Sequence, residues 1–116
     1  MIVDDSNIIR NKIQRDFNAV QFELVAVAKN GREAVDLFEL YRPNVITMDL
    51  TMPEMDGLEC IKNLIARDPD VRILVISALS DKATGIKALK LGAQGFLCKP
   101  FSNEQLVEAL NELVQD

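Results

Sequence analysis

The sequence predicts a doubly wound α/β fold: five parallel strands in one sheet, with helices on both faces. Three observations carry this. Strand-type and helix-type patterns alternate five times along 116 residues, which is the βα rhythm of a parallel sheet. The strand segments are apolar on both faces, as strands buried under two helical layers must be. Right-handed crossovers then leave doubly wound arrangements.

The elements follow in order. Met1–Val3 is a short apolar run. A helix follows with Ile9, Ile13 and Phe17 four apart on one face. Phe22–Ala28 reads as a strand. Asn30-Gly31-Arg32-Glu33 resembles a capping box opening a helix to about Tyr41, and Pro43 stops it. Val45–Met48 is a buried-type strand. A loop over 51–57 leads to a third helix, marked by Leu58, Ile61 and Ile65 and ended before Pro69. Val71–Ile76 is the most strand-like segment of all. A fourth helix spans Asp81 to Leu91 with Gly92 as its C-cap. Gly95–Cys98 is the fifth strand, and Ser102-Asn-Glu-Gln105 is a second capping box, opening a helix with Leu106, Leu110 and Leu113 inward. Nothing marks a linker, a repeat or a second unit, so residues 1–116 read as one domain.

Composition narrows the chemistry. The 48% apolar residues suffice for a core, and no apolar run approaches the roughly 20 residues that span a bilayer. With no signal-type opening either, the expected location is the cytoplasm and no membrane partner is expected. Histidine is absent, and Cys60 and Cys98 form no CxxC pair. That removes most zinc sites and every Ser–His or Cys–His device within the chain. The thiols read as reduced and mostly buried. A net charge of −5 opposes direct nucleic-acid binding and suits a hard cation.

In doubly wound sheets ligands bind beyond the carboxyl ends of the strands. Asp4 and Asp5 end the first strand, Asp49 the third, Ser77 the fourth and Lys99 the fifth. Three clustered carboxylates repel unless a cation neutralises them or their pKa values rise. Oxygen ligands with waters completing the shell point to Mg²⁺, with Mn²⁺ as the alternate. The set suits phosphoryl transfer to a carboxylate, with Asp49 as nucleophile and Lys99 neutralising phosphoryl oxygens. Each residue alone has a plainer reading. Asp5-Ser6 can be a helix N-cap, Asp49 a loop cap, and Lys99 a solvated lysine. What those readings leave unexplained is four strands ending in such groups at once.

Four segments in order carry a resemblance over essentially the whole chain: Ile2-Val-Asp-Asp-Ser6, Met48-Asp-Leu-Thr-Met-Pro-Glu-Met-Asp-Gly57, Ile73-Leu-Val-Ile-Ser-Ala78 and Gly95-Phe-Leu-Cys-Lys-Pro-Phe101. The chain resembles the receiver domain of two-component response regulators. The resemblance implies a flavodoxin-like fold with strand order 2-1-3-4-5. It implies Asp49 as phosphoacceptor and Asp5 as direct Mg²⁺ ligand, with Asp4 acting through water. The Thr51 carbonyl becomes a further metal ligand, and Lys99 contacts the phosphoryl group. Ser77 and Phe96 become switch residues, and Lys99-Pro100 a cis peptide bond. From periodicity alone Phe96 is a core aromatic and Pro100 an ordinary loop proline. The implied partners are a sensor histidine kinase or phosphotransfer protein, and a downstream protein or fused output domain. The implied signalling surface is the fourth helix, fifth strand and fifth helix. Lys82, Lys87 and Lys90 lie there, as does a Glu104, Glu108, Glu112 stripe.

Two features depart from the family pattern. The first strand has almost no residues before Asp4, and Gly85 sits inside the fourth helix, where glycine costs about 1 kcal/mol relative to alanine. The rival functions are a carboxylate-nucleophile phosphatase or phosphotransferase and a flavin binder. The first usually has a second acid two residues after its nucleophile, where this chain has Thr51. The second would need its FMN phosphate beside Asp4 and Asp5.

Overall fold

The computed structural model describes residues 1–19, 22–50, 57–78 and 81–115. Strands β1 (Ile2–Val3), β2 (Val27–Ala28), β3 (Val45–Asp49), β4 (Arg72–Ala78) and β5 (Gly95–Lys99) alternate with helices α1 (Asn7–Ala19), α2 (Gly31–Tyr41), α3 (Gly57–Arg67), α4 (Lys82–Leu91) and α5 (Asn103–Leu113). All strand pairs are parallel, in the order β2-β1-β3-β4-β5. The expected topology is therefore the observed one.

Alternation along the strands divides the core in two. On one face Ile13 and Phe17 of α1 and Leu106, Leu110 and Leu113 of α5 pack on Ile2, Leu74 and Ile76. On the other, Phe38 of α2, Ile61 and Leu64 of α3 and Ala88 of α4 pack on Val3, Ile46, Met48, Ile73 and Val75. Consecutive strand residues point to opposite faces, so Val75 and Ile76 serve different layers.

Helix ends follow local chemistry. Ser102 and Gln105 form the full reciprocal capping box, at 3.1 and 2.8 Å. At α2 only half of the expected box forms: Asn30 Oδ1 accepts the Glu33 N–H at 2.8 Å, while Glu33 accepts the N–H of Lys29 and not that of the cap residue. Ahead of Pro43, α2 closes on Arg42 in the left-handed region, φ 47°. Gly92 closes α4 at φ 123°, a conformation that L side chains rarely adopt.

The largest difference from expectation is at β2, while β4 runs on to Ala78 past the expected Ile76. The strand expected over 22–28 is reduced to Val27–Ala28. As the edge strand, β2 pairs with β1 through Ile2 with Val27 and Val3 with Ala28, and the Ile2 and Asp4 amides donate to the Ala26 and Ala28 carbonyls. Phe22 and Leu24 still pack against the α1/α5 face, so their apolar pattern reports burial and not strand pairing.

Candidate functional site at the carboxyl edge of the sheet

Four of the predicted residues meet where the strands end. Asp4 follows β1 directly, and Asp49 is the last residue of β3. Because Val3 pairs with Met48, Asp4 and Asp49 stand side by side one step further along. Asp5 joins them, and one carboxylate oxygen from each of the three lies within 4.8 Å of the others. Asp4 and Asp49 are buried, at 1% and 2% exposure, while Asp5 is exposed.

Local turns hold the acids in place. Asp4 Oδ1 accepts the Ser6 N–H at 2.8 Å, and Ser6 Oγ accepts the Ile9 N–H at 3.4 Å, capping α1. The capping role the sequence allowed for Asp5-Ser6 thus falls to Ser6, which leaves Asp5 outside the cap. Arg10, which no sequence pattern singles out, donates from Nη1 to the Asp4 carbonyl at 2.7 Å and also bonds the Asn7 side chain. It ties the β1–α1 turn together from the helix side. Nothing in periodicity marks such a bond, because its acceptor is a main-chain oxygen.

Lys99 supplies the opposing charge. Its Nζ stands 3.7 Å from Asp4 Oδ2 and 3.6 Å from Asp49 Oδ2, bridging β1 and β3 from β5. The next peptide bond, Lys99-Pro100, is cis as the resemblance implied. Lys12 of α1 binds the Phe101 carbonyl and lies 4.5 Å from the centre of the Phe101 ring, tethering the turn that follows Lys99. Burial pushes the Asp4 carboxyl above its ordinary value of 3.8; the Ser6 amide and Lys99 oppose that shift, and Asp49 and Asp5 add to it.

The acids fit a hard cation. Asp4 Oδ2 is buried with no hydrogen-bond partner among the described residues. The donor set is all oxygen, and it converges within reach of one ion. Thr51, whose carbonyl the sequence offered as a further ligand, lies outside the described residues.

Ser77 and Phe96 lie beyond this group. Ser77 is fully buried on β4, paired with Cys98, and its hydroxyl donates to the Asp81 carbonyl at 3.2 Å at the start of α4, with the Ala78 carbonyl at 3.4 Å. Phe96 is half-buried on β5 and packs on the α2/α3/α4 face.

A doubly wound sheet with a lysine-bridged acidic cluster at its carboxyl edge defines a CheY-like receiver architecture. The family model for the response regulator receiver domain matches residues 1–111, and the chain belongs to that family of two-component signalling. Among curated proteins it is similar to the chemotaxis protein CheY of Thermotoga maritima, with 41% identity covering 97% of this chain and 94% of that protein. It is also similar to the transcriptional regulatory protein DegU of Brevibacillus brevis, with 39% identity over 99% of this chain but 49% of that longer protein. Among solved structures, the CheX-CheY-BeF3-Mg+2 complex from Borrelia burgdorferi superposes with a TM-score of 0.91 at 31% identity, covering 99% of this chain and 87% of that one.

Proposed function

We propose that this receiver domain takes a phosphoryl group onto Asp49 from a sensor histidine kinase or phosphotransfer protein, in a Mg²⁺-dependent step. The observation that supports this most directly is the Lys99 ammonium held between Asp4 and Asp49 at 3.7 and 3.6 Å. In the transfer an Asp49 carboxylate oxygen forms the new bond to phosphorus. The donor's phosphorus–nitrogen bond breaks, and its imidazole keeps the electron pair and takes a proton. Lys99 faces the oxygens on which charge accumulates. Asp4, Asp5 and Asp49, with the Thr51 carbonyl, would hold the cation, whose contribution is to neutralise the phosphoryl oxygens. BeF3 and Mg²⁺ in the name of the Borrelia burgdorferi complex fit the same chemistry.

Phosphorylation adds about two negative charges to an edge that already carries three carboxylates. Ser77 then gives up the Asp81 carbonyl and turns its hydroxyl to the phosphoryl group. Phe96 and the turn at Pro100 adjust, and the α4–β5–α5 surface shifts between two populations. That surface engages a downstream protein or a fused output domain. The domain turns over only its own aspartyl phosphate, works in the cytoplasm, and does not itself bind nucleic acid. Residues 1–116 act as one receiver unit.

The test is intact mass after incubation with Mg²⁺ and a small acyl phosphate. Wild type gains one labile phosphate, and Asp49→Asn gains none. No adduct with several donors, or equal labelling of the variant, overturns the proposal. Multiple turnover of unrelated phosphate esters supports the phosphatase reading instead.

A further inference from the structure

Gly85 lies in α4 directly against the ring of Phe96 on β5. A Cβ built on Gly85 would stand 1.7 Å from Phe96 Cε2, 2.4 Å from Cδ2 and 2.7 Å from Cζ. Non-bonded carbons settle at about 3.5–4.0 Å, so no side chain fits there while the ring stays. Gly85 is buried, as is Ala88 one turn on. The underside of α4 is therefore a shallow notch of small residues, and the edge of the ring fills it.

Glycine is the poorest helix former after proline, so on helix propensity alone alanine would serve α4 better at this position. The same helix is anchored at its start by the active edge. Ser77 donates to the Asp81 carbonyl at 3.2 Å, and the Thr84 hydroxyl donates to Asp81 Oδ1 at 2.6 Å. The Ser77 anchor and the Phe96 seat thus sit about one turn apart on α4.

We infer that Gly85 is a positioning residue: it is the seat that the Phe96 ring occupies against α4. The ring's place is set by α4. A change at Ser77 then reaches Phe96 by moving the first turn of α4, and the ring travels with its seat. The signalling meaning of that motion rests on the proposed phosphoryl transfer; the seat itself does not.

The test combines a thermal cycle with a probe of ring position, both without phosphodonor. Wild type, Gly85→Ala, Phe96→Ala and the double variant are melted in parallel. Helix propensity alone raises the melting temperature for Gly85→Ala in both backgrounds. The seat predicts a fall of several degrees with Phe96 present and a rise in the Phe96→Ala background. A rise in both, or a fall in both, overturns it. In protein labelled with para-fluorophenylalanine, the Phe96 line is assigned by its loss in Phe96→Leu. It should be shielded from a soluble paramagnetic agent in wild type and exposed in Gly85→Ala. A wild-type line relaxed as strongly as the free amino acid overturns the seat. Because neither measurement involves Asp49, failure to label Asp49 leaves this result standing and removes only its signalling role.

Discussion

Asp4 is withdrawn from water with one oxygen on the Ser6 amide and the other facing Lys99 at 3.7 Å. Its raised pKa has burial as the main cause. In metal-free protein the folded state therefore holds the Asp4 proton to higher pH than the unfolded chain does. More protons bound to the folded state in that interval means stability rises as pH falls through the raised range toward 3.8, the ordinary value. Asp4→Asn removes the penalty and keeps an acceptor for Ser6. Its melting temperature without metal should rise by about 4 °C, corresponding to roughly 1 kcal/mol in a domain of this size. It should also lose most of the stabilisation that Mg²⁺ gives wild type. Calorimetry with EDTA and with Mg²⁺ reads both, and a lower metal-free melting temperature for the variant contradicts the account.

At the scale of elements, caps and turns decide the ends while packing decides the rest. Ser102→Ala breaks one arm of the α5 capping box and should cost about 1 kcal/mol in urea unfolding. Asn30→Ala should cost a similar amount, because its bond to the Glu33 amide is intact even though the reciprocal arm is diverted to Lys29. A null effect at Ser102 would contradict the observed box. The two helix starts were legible from the sequence, since capping uses residues three apart. The edge strand was not. The apolar run over 22–28 reports the packing of Phe22, Leu24 and Ala26 on the core, with Val25 and Val27 exposed between them, but pairing depends on a partner elsewhere in the chain. Here the pairing is made by Ile2 and Val3, with the Asp4 amide donating to the Ala28 carbonyl.

Across the whole molecule, the meeting of Asp4, Asp5, Asp49 and Lys99 could be read from strand-end residues, because parallel strands align their carboxyl ends, while the strand order 2-1-3-4-5 was implied by the resemblance to receiver domains. The Phe96–Gly85 contact could not. It joins α4 to β5 through a side-chain rotamer, and the sequence marks it only as an unfavourable glycine.

The sheet is tied unevenly. β3 pairs with β4 along Val45–Asp49, and β4 with β5 along Leu74–Ala78, so Asp49, Ser77 and Lys99 ride on one firmly laced block. Asp4 and Asp5 follow a strand that holds β3 along Met1–Val3, a shorter contact than those inside the block. A cation gripping both sets would act as a stitch across that seam. Amide hydrogen exchange should then slow on Mg²⁺ addition at Asp4 and Ala28, with little change at Ile73 and Val75 in the block. A seam that exchanges at the same rate with and without Mg²⁺ would show that the ion grips only one side.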